Sequence, residues 1–202
     1  MPDKRRVILL RHAESTANSM RLLTGRGDPG LTKLGCRQAR DASRIIKRRF
    51  PPIEAIYASP MKRALDTAGI VAKRIKAPVI RDELLVETDF GKWEGLNKEE
   101  LTQKPEWNEY AENPFYFRFP GGESPQDVKM RIMRFRQKLL SQDDWENIAV
   151  VSHYTPIVFY ILSVLNCADE KRAAFRIINA AVTSIIVTEN GSYLEFLNLT
   201  RL

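Results

Sequence analysis

The chain has 202 residues, of which 44% are hydrophobic and 28% charged, the balance of one soluble globular domain able to bury about 70% of the surface its unfolded form exposes. A net charge of +7 favours anionic partners. Two cysteines, Cys36 and Cys167, exclude a disulfide framework, and the longest apolar run, 156–165, is about half a membrane span.

From the N-terminus, Met1-Pro2-Asp3-Lys4-Arg5-Arg6 leads into only four apolar residues, too few for a secretory signal, so the cytoplasm is the expected compartment and no membrane contact is expected. Those four, Val7 to Leu10, open a strand near 6–10. A helix near 32–49, a strand near 54–57, a helix near 61–75 and a short strand near 78–81 follow. Residues 82–122 break this alternation with Gly, Pro, Trp and two helical patches, 97–103 and 105–112, and read as a cap over the strand ends. Val128, Ile132, Phe135 and Leu139 then recur at helical spacing in 124–141, with Ser124 as N-cap and Pro125 at the first helical position. A strand at 147–151 and a helix at 155–165 come next. The end is a hairpin, 182–188 and 192–199, joined through Glu189-Asn190-Gly191. Strand–helix alternation with a terminal hairpin predicts an α/β fold. Its three α/β/α layers hold a mostly parallel, six-stranded mixed sheet with one antiparallel strand near the C-terminus. One domain over 1–202, with a small cap insertion, is the expected organisation.

The cations of 47–49, 73–76 and 129–138 interleave with the apolar positions of these helices and carry no aromatic–basic recognition motif, so nucleic acid is not an expected partner. Gly25-Arg26-Gly27-Asp28-Pro29-Gly30 matches a dinucleotide glycine pattern, but it follows no strand and contains a proline. Both histidines fall where a strand hands over to a helix: Arg11-His12 after the first strand, His153 after the fourth. Ligands of open α/β sheets bind at such places, and helix N-termini there favour anions. The two histidines lie 141 positions apart with no metal-type spacing, so no metal site is expected. Phosphate monoester hydrolysis fits better. It needs a nucleophile (His12), guanidinium forks for the phosphoryl oxygens (Arg11, Arg63), a further donor (His153) and a carboxyl to protonate the leaving oxygen. Taken alone, Arg63 is an ordinary helix arginine, and Glu87 is one carboxylate among several, beside Asp82, Glu83, Asp89 and Glu94.

In series, these segments resemble the histidine phosphatase superfamily, in its branch that includes the cofactor-dependent phosphoglycerate mutases. The similarity rests on residues 9–18 (Leu-Leu-Arg-His-Ala-Glu-Ser-Thr-Ala-Asn), Thr24-Gly25, 31–39, and 59–68 around Arg63. It continues through Leu85-Val86-Glu87 with 90–95, then 120–124 and Val150-Val151-Ser152-His153. The resemblance implies phosphorylation of His12, phosphate contacts from Arg11 and Arg63, support from His153 and proton donation by Glu87. It also implies substrate contacts at Asn18, Thr24 and Gly25. Two positions depart from the family pattern: Ala13 and Tyr154 stand where glycine is usual, and the Tyr154 ring is expected to narrow the pocket, to contact the substrate or to shift the backbone N–H that would otherwise approach phosphate. Lys92, Tyr116 and Arg118 are the cap residues placed to meet a substrate's far end.

The implied activity is metal-independent phosphomonoester hydrolysis without a cofactor, on a small phosphorylated molecule. A phosphoglycerate mutase using 2,3-bisphosphoglycerate and a catalytically silent phospho-ligand binder are the alternatives. About 28 residues between Gly95 and Glu123 make a smaller cap than the family's mutases carry. An exposed face of the terminal hairpin leaves a homodimer open.

Overall fold

The structure is a computed structural model and describes residues 4–142 and 144–200. Residues 1–3, 143 and 201–202, which the single-domain expectation of 1–202 and the signal-peptide argument include, lie outside them. The elements run β1 (Arg5–Arg11), α1 (Thr16–Ser19), α2 (Lys33–Arg49), β2 (Ala55–Ala58), α3 (Lys62–Ile75) and β3 (Val79–Arg81). The cap carries α4 (Lys98–Thr102) and α5 (Trp107–Glu112). The chain ends with α6 (Pro125–Leu140), β4 (Asn147–Ser152), α7 (Tyr154–Leu165), β5 (Val182–Thr188) and β6 (Gly191–Leu199). Every strand and long helix expected from the sequence is present within a residue or two at its ends. The four-residue α1 and the 3₁₀ turns Glu83–Leu85, Gly91–Trp93 and Asp169–Ala174 were not predicted, being too short to set a hydrophobic period.

The sheet order is β3-β2-β4-β1-β5-β6. The first four strands are parallel, and β5 runs against both its neighbours. Alternation along β1 sorts the core: Ile8 and Leu10 face α2 and α3, packing on Ala39, Ala42, Ile46, Ala64, Ala68 and Val71. Val7 and Leu9 face the opposite layer, with Val128, Ile132, Phe135 and Leu139 of α6 and Ile157 and Phe159 of α7. A third apolar cluster, Trp93 with Phe117 and Phe119, anchors the cap. At the N-terminus of α6, Ser124 forms a capping box with Asp127, and Pro125 occupies the first turn. Among the described residues, no helix is long and apolar enough to cross a membrane.

The helices after β1 and β4 leave on opposite faces. The carboxyl ends of this adjacent parallel pair therefore flank a topological switch point, where open α/β sheets form their ligand crevice.

Candidate active site

Register explains how residues 141 apart become neighbours. β1 and β4 pair in parallel with Arg11 opposite Ser152, and the His12 N–H donates to the Ser152 carbonyl at 2.8 Å. The next residue on each strand is a histidine, and the two rings lie 5.0 Å apart between centroids. His153 is also the N-cap residue of α7, so the positive end of that helix dipole opens at the same level.

The two imidazoles are differently bonded. His12 Nδ1 lies 2.8 Å from the Ala13 carbonyl, which only accepts. Nδ1 therefore carries the hydrogen and Nε2 the free lone pair. The Ala13 N–H donates to Thr67 Oγ1 at 3.0 Å, whose hydroxyl donates onward to the Arg63 carbonyl at 2.7 Å. His153 Nε2 meets the Ser59 hydroxyl at 2.8 Å, while its buried Nδ1 has no partner among the described residues. Burial first, then Arg63 and Arg11, push His12 down to about 3. Burial, followed by His12 and Arg63, holds His153 well below the ordinary imidazole range. Both rings are neutral at physiological pH.

Arg63 sits one residue into α3, only 1% exposed. Its Nη1 donates to the Gly27 carbonyl at 2.7 Å and Nη2 to Gly25 at 2.8 Å. That loop is shaped by Glu94, whose carboxylate accepts from the Gly25 and Arg26 N–H groups at 3.0 and 2.7 Å. A Cβ at Gly25 would overlap the Thr88 carbonyl oxygen, so the close approach requires glycine. Met61, at the α3 N-cap, offers no side-chain cap; Asp28 fills the role by accepting from the Lys62 N–H at 2.5 Å. Arg11 donates Nη1 to the Ile177 carbonyl at 2.6 Å, and its buried Nε is without a partner among the described residues. Burial lowers both guanidinium pKa values, and the Glu87 carboxylate opposes the shift at each.

Glu87 is buried beside these groups. Its Oε1 accepts from the Thr88 N–H at 2.8 Å, and Oε2 from the Thr155 N–H in the first turn of α7 at 3.4 Å. Arg131, from α6, secures its segment by donating to the Leu84, Val86 and Glu87 carbonyls at 2.9, 2.6 and 3.1 Å. Glu123 pairs with Arg131 at 3.2 Å and accepts from the Asp89 N–H at 2.9 Å.

Arg11, His12, Arg63, Glu87 and His153 thus converge. Of the other sequence-predicted residues, Asn18, Thr24, Gly25, Tyr154 and Arg118 have protein partners. Asn18 Oδ1 accepts from the Ser15 N–H and from Asn179 Nδ2 at 3.1 and 3.2 Å, leaving its own Nδ2 as the donor end. Thr24 turns its hydroxyl to the Leu22 carbonyl at 3.4 Å. Both backbone polar groups of Gly25 are engaged, by Glu94 and Arg63. The Tyr154 hydroxyl donates to the Phe175 carbonyl at 2.9 Å. In the cap, Arg118 pairs with Asp127 at 2.8 Å, Lys92 is exposed, and Tyr116 stacks edgewise on Phe115. Sequence reasoning missed Ser59, Thr67, Arg131 and Asn179, which reaches the His12 carbonyl at 3.0 Å. Their spacing carries no clear signal of its own, because the contacts that tie them to the site are long-range: Ser59 to His153, Thr67 to Ala13, Arg131 to Glu87 and Asn179 to His12.

A mostly parallel α/β sheet with two imidazoles and two guanidiniums at its switch point, Arg63 buried and Arg11 half-buried, defines an anion-handling site. The chain belongs to the histidine phosphatase superfamily (branch 1), whose family model matches residues 7–200. It is similar to a bifunctional protein of Mycobacterium tuberculosis, 40% identical over 165 residues, covering 81% of this chain and 45% of that protein. The chain therefore spans less than half the length of that relative. Phosphoserine phosphatase 1 of Hydrogenobacter thermophilus is 32% identical over 197 residues, covering 96% and 92% of the two chains. Among solved structures, the alpha-ribazole phosphatase of Shigella flexneri superposes with a TM-score of 0.87 at 26% identity, covering 96% of each chain.

Proposed function

We propose that this chain is a metal-independent phosphomonoesterase of the histidine phosphatase type, hydrolysing a small phosphorylated molecule through a phosphohistidine on His12, without a cofactor. The observation that carries the reading is the bonding of His12: Nδ1–H is fixed on the Ala13 carbonyl, so the Nε2 lone pair is the nucleophile, and its depressed pKa keeps it unprotonated. Arg11 and Arg63 hold the phosphoryl oxygens with planar forks, and His153 Nδ1 donates to a third as charge builds on phosphorus.

In the first step, His12 Nε2 bonds to phosphorus, the ester P–O bond breaks, and the Glu87 carboxyl gives its proton to the departing alkoxide. In the second, Glu87 as carboxylate takes a proton from water. The resulting hydroxide bonds to phosphorus, the P–N bond breaks, and inorganic phosphate leaves with His12 and Glu87 restored. A short cap supports hydrolysis over mutase chemistry, since a phosphohistidine that water reaches is discharged to water. The relatedness to a phosphoserine phosphatase and an alpha-ribazole phosphatase supports a small-molecule substrate. The unpaired Cys36 and Cys167 support a cytoplasmic location.

The test is hydrolysis of para-nitrophenyl phosphate in excess chelator, alongside 3-phosphoglycerate isomerisation with and without 2,3-bisphosphoglycerate. Chelator-insensitive hydrolysis, abolished in His12→Ala, is the expected result. Bisphosphate-stimulated isomerisation establishes the mutase instead, phosphate binding without turnover establishes a silent binder, and full activity in His12→Ala removes His12 as nucleophile.

A further inference from the structure

Tyr154 follows His153 directly, yet its hydroxyl donates to the Phe175 carbonyl at 2.9 Å, with the Arg172 carbonyl at 3.5 Å. Its ring lies 5.8 Å from the Arg11 guanidinium carbon. Two residues beyond Phe175, the Ile177 carbonyl accepts from Arg11 Nη1 at 2.6 Å. The phenol and the guanidinium are thus fastened to the same short stretch, 175–177, and to each other.

We propose that Tyr154 is a positioning residue for phosphate binding, acting through Arg11 and not through the substrate. The inference rests on the reading of Arg11 as a phosphate ligand. Arg11 is the site's more demanding cation to hold, because Arg63 gives two of its nitrogens to loop carbonyls whereas Arg11 gives one and leaves its buried Nε without a partner among the described residues. A guanidinium partly withdrawn from water is drawn toward an acceptor within reach, and Glu87 is a carboxylate near it. The negative face of the Tyr154 ring stabilises the cation without occupying an N–H donor. The Ile177 carbonyl fixes one end of the fork. Nε and Nη2 are then held for the phosphoryl oxygens before substrate arrives, which lowers the ordering cost of binding. Tethering the phenol to Phe175 keeps ring and carbonyl moving as one unit, so the orientation of Arg11 depends on a residue that contributes no atom to the ligand.

The experiment compares Tyr154→Phe and Tyr154→Leu by calorimetric titration with inorganic phosphate and by steady-state kinetics on para-nitrophenyl phosphate, with the melting temperature measured on each. The leucine variant is expected to weaken phosphate binding and raise KM by about 2- to 30-fold, the span of a cation–π contact, with kcat changed less. The phenylalanine variant keeps the ring and should restore most of that loss. In an Arg11→Gln background the same leucine substitution should leave the phosphate Kd unchanged. Equal losses in both backgrounds, or no loss from leucine in the parent, overturn the proposal. Tyr154→Met, which fills the volume without a ring, gives the same comparison where the leucine variant does not fold. Wild-type protein that binds phosphate but hydrolyses nothing overturns the proposed activity alone; protein that binds no phosphate overturns both.

Discussion

His12 and Arg63 are coupled through one hydroxyl. Thr67 accepts from the Ala13 N–H, which follows the proposed nucleophile, and donates to the Arg63 carbonyl, so it ties together both sides of the candidate site. Thr67→Val preserves shape and deletes the acceptor, leaving a buried N–H unpaired. A loss of about 1–3 kcal/mol is expected, measurable by urea unfolding. Arg63→Ala removes one charged fork and should lower kcat by about 10²–10³-fold, as loss of a single preorganised donor does elsewhere; a change under tenfold would remove Arg63 from that role. At this scale His12, His153 and Arg11 were legible in the sequence because strand ends can be located without a fold. Arg63 and Glu87 were legible only as parts of a family pattern. Thr67, Ser59 and Asn179 were not, since a hydroxyl or amide on a helix or loop reveals its partner only after the chain has closed on itself.

Outside the candidate site, α6 is tied to the Glu87 segment. Its apolar face packs under the sheet, and Arg131 reaches from it to three carbonyls of the 84–87 segment. Arg131→Met keeps the side chain's bulk and frees that segment. A displacement of Glu87 by about 1 Å should reduce kcat up to about 100-fold with little change in phosphate affinity, a split that steady-state kinetics with phosphate inhibition resolves. The helix itself was plain in the sequence, from its apolar spacing, its Ser124 cap and Pro125. The 3₁₀ turn at Glu83–Leu85 was not, because it exists through Asp82, whose side chain accepts from the Leu84 N–H at 2.9 Å, and through Arg131.

The whole molecule bears a stability cost for holding two imidazoles neutral among guanidiniums. Their folded pKa values lie below the unfolded value of about 6.5, so below that pH the unfolded chain binds protons that the native protein refuses. Above about pH 6.5 that cost is absent. It grows on acidification, lowering stability by about 1.4 kcal/mol per pH unit for each histidine, down to about pH 3 for His12. Chemical denaturation between pH 7.5 and 5 should therefore show stability dropping with acid. Bound phosphate should flatten that slope by allowing the rings to protonate, and a pH-independent midpoint would contradict the neutral pair. Sheet order was partly open to sequence reasoning: alternation required parallel strands and the terminal hairpin required one reversed, but nothing local placed β4 between β2 and β1.

That placement bears on when the site can come apart. The His12 amide is bonded to Ser152 at the carboxyl end of two central strands, so its deuterium exchange should be slower than that of the cap and the terminal hairpin. Local breathing is left to the periphery, and heat should abolish catalysis in the same cooperative step that melts the fold, with no earlier loosening of the reaction centre.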